Sequence, residues 1–325
     1  MKYNQLGKWG GRVSCLGLGS YLTIGFKCDD QTSGDMIRFA YDSGINYFDT
    51  ANAYNNGQAE RTLGKYLSEF ARSSIFLLTK VWVPMGDGPN DRGLSAKHIR
   101  EQCDASLKRL ATDYVDVYMC HRPDPTTPLE ETIRAMEDLA RAGKIIYWGI
   151  SEWSPAQIVK ANAVARQIAA RPCAVNQPRY NLLYRYPENE LFDVTQNEGV
   201  GNVVFSPLAH GMLTGKYKPG QPAPAGTRAA DPDQNMVIKA IYWSEQNKRK
   251  AQKFIKIAQE MAVSAAQLAI AWCLRHSAVN SVILGTSKLE QLKDNIAAVD
   301  IEIPQDVLEK IEKLYPKPED RPTIS

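Results

Sequence analysis

Four side chains in the first half of the chain could together deliver a proton to a carbonyl oxygen. Asp49, Tyr54 and Lys80 follow two consecutive apolar runs, and His121 follows the next one. A ketone or aldehyde that accepts hydride develops negative charge on its oxygen, so a site for that reaction needs a proton donor at this atom. Tyrosine is a weak acid with a free pKa of about 10.

The other three side chains match the groups that would adapt a tyrosine to this task. The ammonium of Lys80 beside the phenol would stabilise the tyrosinate and lower the pKa of Tyr54, and the carboxylate of Asp49 would hold the ammonium in place. A neutral His121, donating through one nitrogen, would orient the carbonyl oxygen. The pattern therefore indicates proton-coupled reduction of a carbonyl.

Each of the four residues also has a structural interpretation when it is taken alone. Asp49 could cap the turn at Thr50, and Tyr54 could be one exposed loop aromatic among fifteen tyrosines. His121 could be a structural histidine with satisfied ring nitrogens. Lys80 is harder to explain in this way, because a lysine at the end of a buried strand requires a partner. Their joint placement favours the catalytic interpretation.

Short apolar or β-branched runs recur along the chain, and segments with helical periodicity separate them. This alternation predicts eight parallel strands. Helix starts are predicted at Ser95 and at three capping boxes, 127–130, 154–157 and 287–290. The predicted strands are 13–18, 45–48, 75–78, 115–119, 145–149, 174–176, 203–205 and 282–284.

Nearly every predicted strand ends in a polar group, which favours a closed barrel over an open doubly wound sheet. A barrel gathers all strand ends around one mouth, whereas an open sheet concentrates its site at one switch point. We therefore expect one α/β domain over residues 1–325, a (β/α)₈ TIM barrel. Long loops at 83–93 and 207–244 would cover its C-terminal face, and a hairpin of Tyr3–Leu6 with Arg12–Val13 would plug the opposite face. The polar strand ends are Asp49, Lys80, His121, Ser151, Gln177, Ser206 and Ser287.

Composition excludes several classes of protein. The net charge is +3 with lysine and arginine scattered among acidic residues, so nucleic acid is not an expected partner. The start lacks the apolar stretch of a signal peptide, and no apolar run approaches the roughly 20 residues that span a bilayer. A cytoplasmic protein without membrane insertion is expected. The six cysteines form no C-x-x-C pair and predict buried thiols, with no metal site. Disorder is expected only after Leu314.

The last predicted strand leads into a helix start at Ser287, close to the place where barrels commonly bind phosphate. The preceding loop adds Ser206, Lys216 and Arg228, so the sequence is compatible with an anionic nucleotide. Taken separately, Ser287 is more simply a helix start, and Lys216 and Arg228 are ordinary solvated charges.

These residues resemble the aldo-keto reductases over nearly the whole chain. Within that superfamily, segments such as 12–16, 122–125 and 269–275 are most similar to the voltage-gated potassium channel β-subunits and their bacterial and plant relatives. The motifs that carry the resemblance are Leu16-Gly17-Leu18-Gly19, Phe48-Asp49-Thr50-Ala51, Gly57-Gln58-Ala59-Glu60, Thr79-Lys80, His121-Arg122-Pro123, Trp148-Gly149-Ile150-Ser151 and Ser206-Pro207-Leu208.

The resemblance implies an NADP-dependent reductase of small aldehydes or ketones, with Asp49, Tyr54, Lys80 and His121 as the catalytic tetrad and Tyr54 as the proton donor. It implies that Ser151 and Gln177 hold the carboxamide of NADP and that Phe205 stacks beneath the nicotinamide. The pyrophosphate would follow Ser206, Leu208 and Gly211; the 2′-phosphate end would meet Lys216, Ser287 and Gln291; the adenosine would meet Arg228, Asp294 and Asn295. Further implied cofactor contacts are Gly19, Ser20, Tyr21, Asp49, Glu152, Pro207 and Gly285.

Three positions depart from the channel β-subunits. Those proteins carry asparagine at the position of His121, so the histidine favours an enzyme. They carry arginine at Glu152 and tryptophan at Phe205, which leaves the preference for NADP over NAD open. The alternative function is an NADPH-binding, redox-sensing regulator of a membrane channel with slow turnover; a barrel without cofactor is a third. The resemblance also implies a homo-oligomer, a tetramer. The sequence does not identify the natural carbonyl, because the pocket walls lie in loops.

Overall fold

A computed structural model describes residues 1–319 and contains a closed barrel of eight parallel strands. Each barrel strand pairs with its neighbours in chain order, and the last, β10, pairs with the first, β3. The predicted (β/α)₈ barrel is therefore confirmed. The strands are β1 (Tyr3–Gln5), β2 (Arg12–Ser14), β3 (Leu16–Gly19), β4 (Tyr47–Asp49), β5 (Phe76–Val81), β6 (Val115–Cys120), β7 (Ile145–Ser151), β8 (Val175–Gln177), β9 (Gly201–Val204) and β10 (Val279–Leu284).

Helices follow most barrel strands and pack around them. The helices are α1 (Asp30–Asp42), α2 (Gln58–Leu67), α3 (Ala96–Leu110), α4 (Leu129–Arg141), α5 (Pro155–Gln167), α6 (Leu191–Glu198), α7 (Met236–Ile241), α8 (Glu245–Glu260), α9 (Ala265–Leu274), α10 (Leu289–Ile296) and α11 (Gln305–Leu314). In residues 1–319 no single helix is long and apolar enough to cross a membrane; α8 and α9 pass that test only as a pair, bent by 88°.

Two of the predicted helix starts are confirmed and two are wrong in detail. Ser95 caps α3, and Ser154 forms a complete capping box at α5. Helix α4 instead has Pro128 at its N-cap, because the hydroxyl of Thr127 donates to Asp124. Helix α10 has Lys288 at its N-cap without a side-chain bond. A serine or threonine caps a helix only where its hydroxyl oxygen points at the free N–H groups of the first turn.

The predicted N-terminal plug is confirmed. Strands β1 and β2 form an antiparallel hairpin, so residues 12–14 belong to it and the first barrel strand begins only at Leu16. Leu6 and Val13 are fully buried against apolar side chains of the barrel interior such as Tyr47 and Met119. This packing closes the end of the barrel that lies opposite the strand C-termini and leaves one open mouth.

Other predictions concern the loops, the cysteines and the chain end. The loop before α3 and the segment from Phe205 to Ser244 follow the C-terminal ends of β5 and β9, although the second contains a 3₁₀ turn at 209–214 and the short α7. All six cysteines are buried and free. Tyr315 is buried and its carbonyl accepts from Arg185, so the expected disorder does not begin directly after Leu314. Residues 320–325 lie outside the described part of the chain.

Candidate active site

The strand ends bring three of the four predicted catalytic residues to the barrel mouth. Asp49 is the last residue of β4, Lys80 is the second-last residue of β5, and His121 follows β6. The pairing register places Asp49 beside Leu78 and Lys80 beside Met119. Lys80 is fully buried and Asp49 nearly so. A parallel barrel directs such strand-end side chains toward a common centre.

Tyr54 lies in the loop between β4 and α2, and an unusual backbone holds it there. Asn55, Asn56 and Gly57 all have φ between 46° and 83°. Asparagine and glycine are the residues that adopt this left-handed conformation most readily. The ring of Tyr21 packs against Tyr54 with 5.0 Å between centroids. The Asn-Asn-Gly sequence therefore turns the chain so that the phenol faces the mouth.

The Lys80 ammonium joins the three groups into one hydrogen-bonded unit. Its Nζ donates to Asp49 Oδ1 at 2.7 Å, to the main-chain oxygen of Thr50 at 2.8 Å and to Tyr54 Oη at 3.3 Å. The second oxygen of Asp49 accepts from Gln177 Nε2 at 2.6 Å. Since the phenol oxygen accepts from Lys80, the hydroxyl proton of Tyr54 is left to donate to a different acceptor.

The structure reverses the expected direction of the Tyr54 pKa. Burial raises the pKa of Tyr54 well above its usual value, and the neighbouring Asp49 and Tyr21 add to this, while Arg122 opposes it. The stabilising effect of Lys80 does not outweigh burial, because the lysine charge is paired with Asp49 and the tyrosine side chain is partly buried. Burial also lowers the pKa of Lys80, against the opposing effect of Asp49. The phenol of Tyr54 is therefore protonated near neutral pH.

His121 lies beside the phenol and is neutral, as expected. The two rings meet edge to face, with centroids 5.7 Å apart. Burial, followed by the charges of Lys80 and Arg122, lowers the pKa of His121 well below its usual value. Its Nδ1 is buried and has no hydrogen-bond partner in residues 1–319. A buried polar atom without a partner is costly, which fits a site completed by a ligand.

We expect turnover to be nearly constant from about pH 6 through neutral pH, with an alkaline limit set by Lys80, whose pKa is lowered by burial. The pKa of His121 is lowered, so the ring becomes charged only at more acidic pH, and the pKa of Tyr54 is raised, so the phenol loses its proton only at more alkaline pH. The dependence of kcat on pH tests the expected protonation states of His121 and Tyr54. An acidic limb with a midpoint near 6.5 that disappears in His121→Asn would contradict the neutral histidine.

The residues expected at the nicotinamide end lie together on β7, β8 and β9. Ser151 pairs in register with Gln177, and its Oγ donates to the Gln177 carbonyl at 2.9 Å. The amide nitrogen of Gln177 is already used by Asp49, which leaves its side-chain oxygen for a carboxamide. Phe205 is half-buried directly after β9, against the barrel interior.

The loop after β9 has an unusual backbone conformation. Ser206, Ala209, His210 and Gly211 all have positive φ, a strain that clusters at ligand sites. A Cβ on Gly211 would lie 2.6 Å from the Lys216 side chain, so this glycine lets Lys216 cross over the loop. The remaining predicted residues of this loop, Pro207 and Leu208, precede the 3₁₀ turn.

Two cations beside this loop fit a phosphate group. Among the described residues, neither Lys216 nor Arg228 forms an ion pair, and Arg228 Nη1 lies 3.1 Å from His210 Nδ1. Lys216 is exposed, and the surrounding protein and the charge of Arg228 lower its pKa. Two unpaired cations next to one another repel, and a bound anion would relieve that repulsion.

The residues expected at the adenosine end are brought together less clearly. The carboxylate of Asp294 accepts from Ser264 Oγ and Gln267 Nε2. It is therefore already bonded to the two residues that form the capping box of α9. The main-chain nitrogen of Ser287 donates to Gln291, and Asn295 is buried. Gly285 is exposed with open space where a Cβ would be.

The strand-end residues Gly19 and Ser20 support the tetrad directly. The main-chain nitrogen of Ser20 donates to the carbonyl of Asp49, and its hydroxyl donates to Thr50. A Cβ on Gly19 would lie 2.6 Å from Ile283, so glycine is required for this approach of β3 to β10.

Sequence reasoning missed three contributors to the site. Thr50 acts through its main-chain oxygen, for which no side-chain signal exists. Arg122 affects the pKa of both Tyr54 and His121, and Arg179 follows Gln177 and a proline. Each of these residues lies within two positions of a predicted site residue in the sequence. This proximity was the signal from which they could have been identified.

Comparison with known proteins agrees with the geometry. The sequence model of the Aldo/keto reductase family matches residues 15–316. The chain belongs to the aldo/keto reductase family. Two curated relatives of this aldo/keto reductase, from Arabidopsis thaliana and Oryza sativa subsp. japonica, are each described as a probable voltage-gated potassium channel subunit beta. They are 42% identical over 99% of both chains and 43% identical over 96% of both chains. Family membership supports an NAD(P)-dependent oxidoreductase.

Proposed function

We propose that this protein is an NADP-dependent reductase of small aldehydes or ketones in which Tyr54 donates the proton. The observation that carries the proposal is the position of Lys80 Nζ, 3.3 Å from Tyr54 Oη and 2.7 Å from Asp49. NADPH supplies hydride when it is bound. The protein's own groups must then donate a proton and orient the carbonyl of the substrate, and the positions of Tyr54 and His121 at the barrel mouth support these two roles.

Each tetrad residue has a distinct part in the proposed reaction. Tyr54 donates its proton to the carbonyl oxygen as negative charge develops there, which leaves a phenolate. The Lys80 ammonium stabilises that phenolate across the hydrogen bond it already makes. Asp49 holds Lys80, and neutral His121 donates a hydrogen bond that orients the carbonyl oxygen. The fit of the cofactor rests on the unpaired cations Lys216 and Arg228 and on the strained loop after β9.

Replacement of Lys216 by glutamine is expected to weaken NADPH binding roughly 10-fold and to leave NADH binding nearly unchanged. A charge-assisted hydrogen bond to phosphate is worth about 1.5–3 kcal/mol, and exposure reduces this. Quenching of protein fluorescence on titration with each cofactor measures the effect. Lys218→Gln removes an equally exposed lysine two residues further on and is the control. Absence of NADPH binding by the unmodified protein would reject the proposed function; an equal loss for both cofactors would reject Lys216 as the 2′-phosphate contact.

A second candidate function is that of a slow, NADPH-binding regulator of a membrane channel, and the names of the two curated relatives favour it. It predicts tight cofactor binding with negligible multiple turnover, and recovery of a channel in pull-downs. His121 favours the enzyme, because a neutral imidazole at this place supplies the donor that orients a carbonyl. We further propose a single domain, a cytoplasmic location and a homo-oligomeric state, the last testable by light scattering.

A further inference from the structure

Arg179 is a buried cation that the proposed mechanism does not use. It follows β8, two residues after Gln177, and is 9% exposed. Its main-chain nitrogen donates to Glu152 Oε1 at 2.7 Å, but within residues 1–319 its guanidinium donates no hydrogen bond and forms no ion pair. The Nε atom is buried and has no partner. A buried charge in this condition is costly unless a further group satisfies it.

Aromatic packing accounts for the position of this guanidinium but not for its unused donors. The Arg179 Cζ lies 5.1 Å from the Tyr184 ring and 5.6 Å from the Phe205 ring. A parallel bridge between Arg179 and Phe205 continues the pairing of β8 with β9. The faces of the two rings attract the positive charge. They offer no acceptor to the N–H groups, which point outward in the plane of the guanidinium. This plane is the direction in which arginine binds carboxylate and phosphate oxygens.

The loop that Arg179 adjoins is the turn with positive φ after β9. Both Arg228 and Arg179 act on His210 in this turn, where burial first and then these two charges lower the pKa of His210 to about 3. Glu152 is the acidic side chain next to Arg179, and it is engaged with the main-chain nitrogen. Arg228 contacts the turn at His210, and Arg179 adjoins its start at Phe205.

We propose that Arg179 binds the diphosphate of the dinucleotide, a role that rests on the proposed NADP-dependent function. The diphosphate carries anionic oxygen acceptors, which the guanidinium lacks in this structure, and it joins the nicotinamide, expected at Phe205, to the adenosine end beyond Lys216. Arg179 would then lie between Phe205, which is expected to stack on the nicotinamide, and the turn with positive φ after β9. A purely structural role, as a cation between two rings, would not distinguish NADPH from a ligand that lacks the diphosphate.

The test compares two ligands that share the 2′-phosphate but differ in the diphosphate. Binding of NADPH and of adenosine 2′-monophosphate is measured by titration calorimetry for the unmodified protein, Arg179→Gln and Arg179→Lys. Arg179→Gln is expected to weaken NADPH roughly 10- to 100-fold and to leave adenosine 2′-monophosphate within about twofold. Arg179→Lys keeps the charge and is expected to recover part of the NADPH affinity. Arg275→Gln, which removes an arginine stacked on Trp272 and paired with Glu312, is the control and should affect neither ligand.

Unchanged NADPH affinity in Arg179→Gln would overturn the inference while leaving the proposed function intact. An equal loss for both ligands with a lower Tm would also overturn it, in favour of a structural role. Failure of the unmodified protein to bind NADPH would reject the proposed function and the role of Arg179 together. If Arg179→Gln does not fold, the two ligands are compared with Arg179→Lys instead. This variant is expected to lose less NADPH affinity, and again to keep its affinity for adenosine 2′-monophosphate.

Discussion

Replacement of Tyr54 by phenylalanine is expected to lower kcat by about 10²- to 10⁴-fold, the contribution typical of a positioned acid. The substitution removes only the hydroxyl, whose proton is free because the oxygen accepts from Lys80. NADPH affinity should remain within a few-fold, since the ring and its contact with Tyr21 stay in place. Steady-state rates with a reactive aldehyde, together with a cofactor titration, measure both quantities.

The matched control is Tyr3→Phe, which removes a tyrosine hydroxyl on the hairpin at the opposite end of the barrel. That hydroxyl donates to the Gly44 carbonyl, and its loss should leave kcat unchanged. Nearly normal turnover in Tyr54→Phe would eliminate Tyr54 as the proton donor. A large rise in the Kd for NADPH without a change in kcat would assign Tyr54 to cofactor binding instead.

Replacement of Lys80 by methionine is expected to lower kcat by about 10²-fold or more and to destabilise the fold by about 3–5 kcal/mol. Catalysis falls because the developing phenolate of Tyr54 loses its ammonium. Stability falls because Asp49 is left as a buried carboxylate without its ion pair. Chemical denaturation and steady-state kinetics of the same preparation measure the two effects.

A second substitution separates the electrostatic cause from loss of packing. The pair Lys80→Met with Asp49→Asn removes both charges, so it should regain much of the lost stability without regaining activity. Lys97→Met breaks the exposed ion pair with Glu101 and should cost at most about 1 kcal/mol. If the double variant is no more stable than Lys80→Met, the buried carboxylate is not the source of the destabilisation.

The barrel and the grouping of Asp49, Lys80 and His121 at its mouth were predictable from patterns in the sequence. Eight apolar runs, seven of them followed by a polar group, are difficult to arrange except around one mouth, and these three residues lie at such ends. The Asn-Asn-Gly segment after Tyr54 could also have been recognised as a left-handed turn. At these residues the preference of the local sequence and the path of the chain in the barrel predict the same position.

Properties that depend on packing were predicted wrongly or missed. The pKa of Tyr54 depends on how completely the phenol is enclosed, which the spacing of residues does not reveal. The caps expected from Thr127 and Ser287 failed because Asp124 engages the first and the chain geometry excludes the second. Arg179 could not be recognised as unpaired before the positions of all acidic groups around it were known.

The most direct test of the central claim is a single-turnover measurement in which protein-bound NADPH is mixed with an excess of aldehyde. The panel contains methylglyoxal, glyceraldehyde and an aromatic aldehyde, and each is run with the unmodified protein and with Tyr54→Phe. We expect the unmodified protein to oxidise bound NADPH, more slowly when NADPH is deuterated at the transferable position, and to continue through multiple turnovers once free NADPH is added. The variant should oxidise bound NADPH far more slowly. Bound NADPH that no aldehyde oxidises, or oxidation at equal rates in both proteins, would contradict the account.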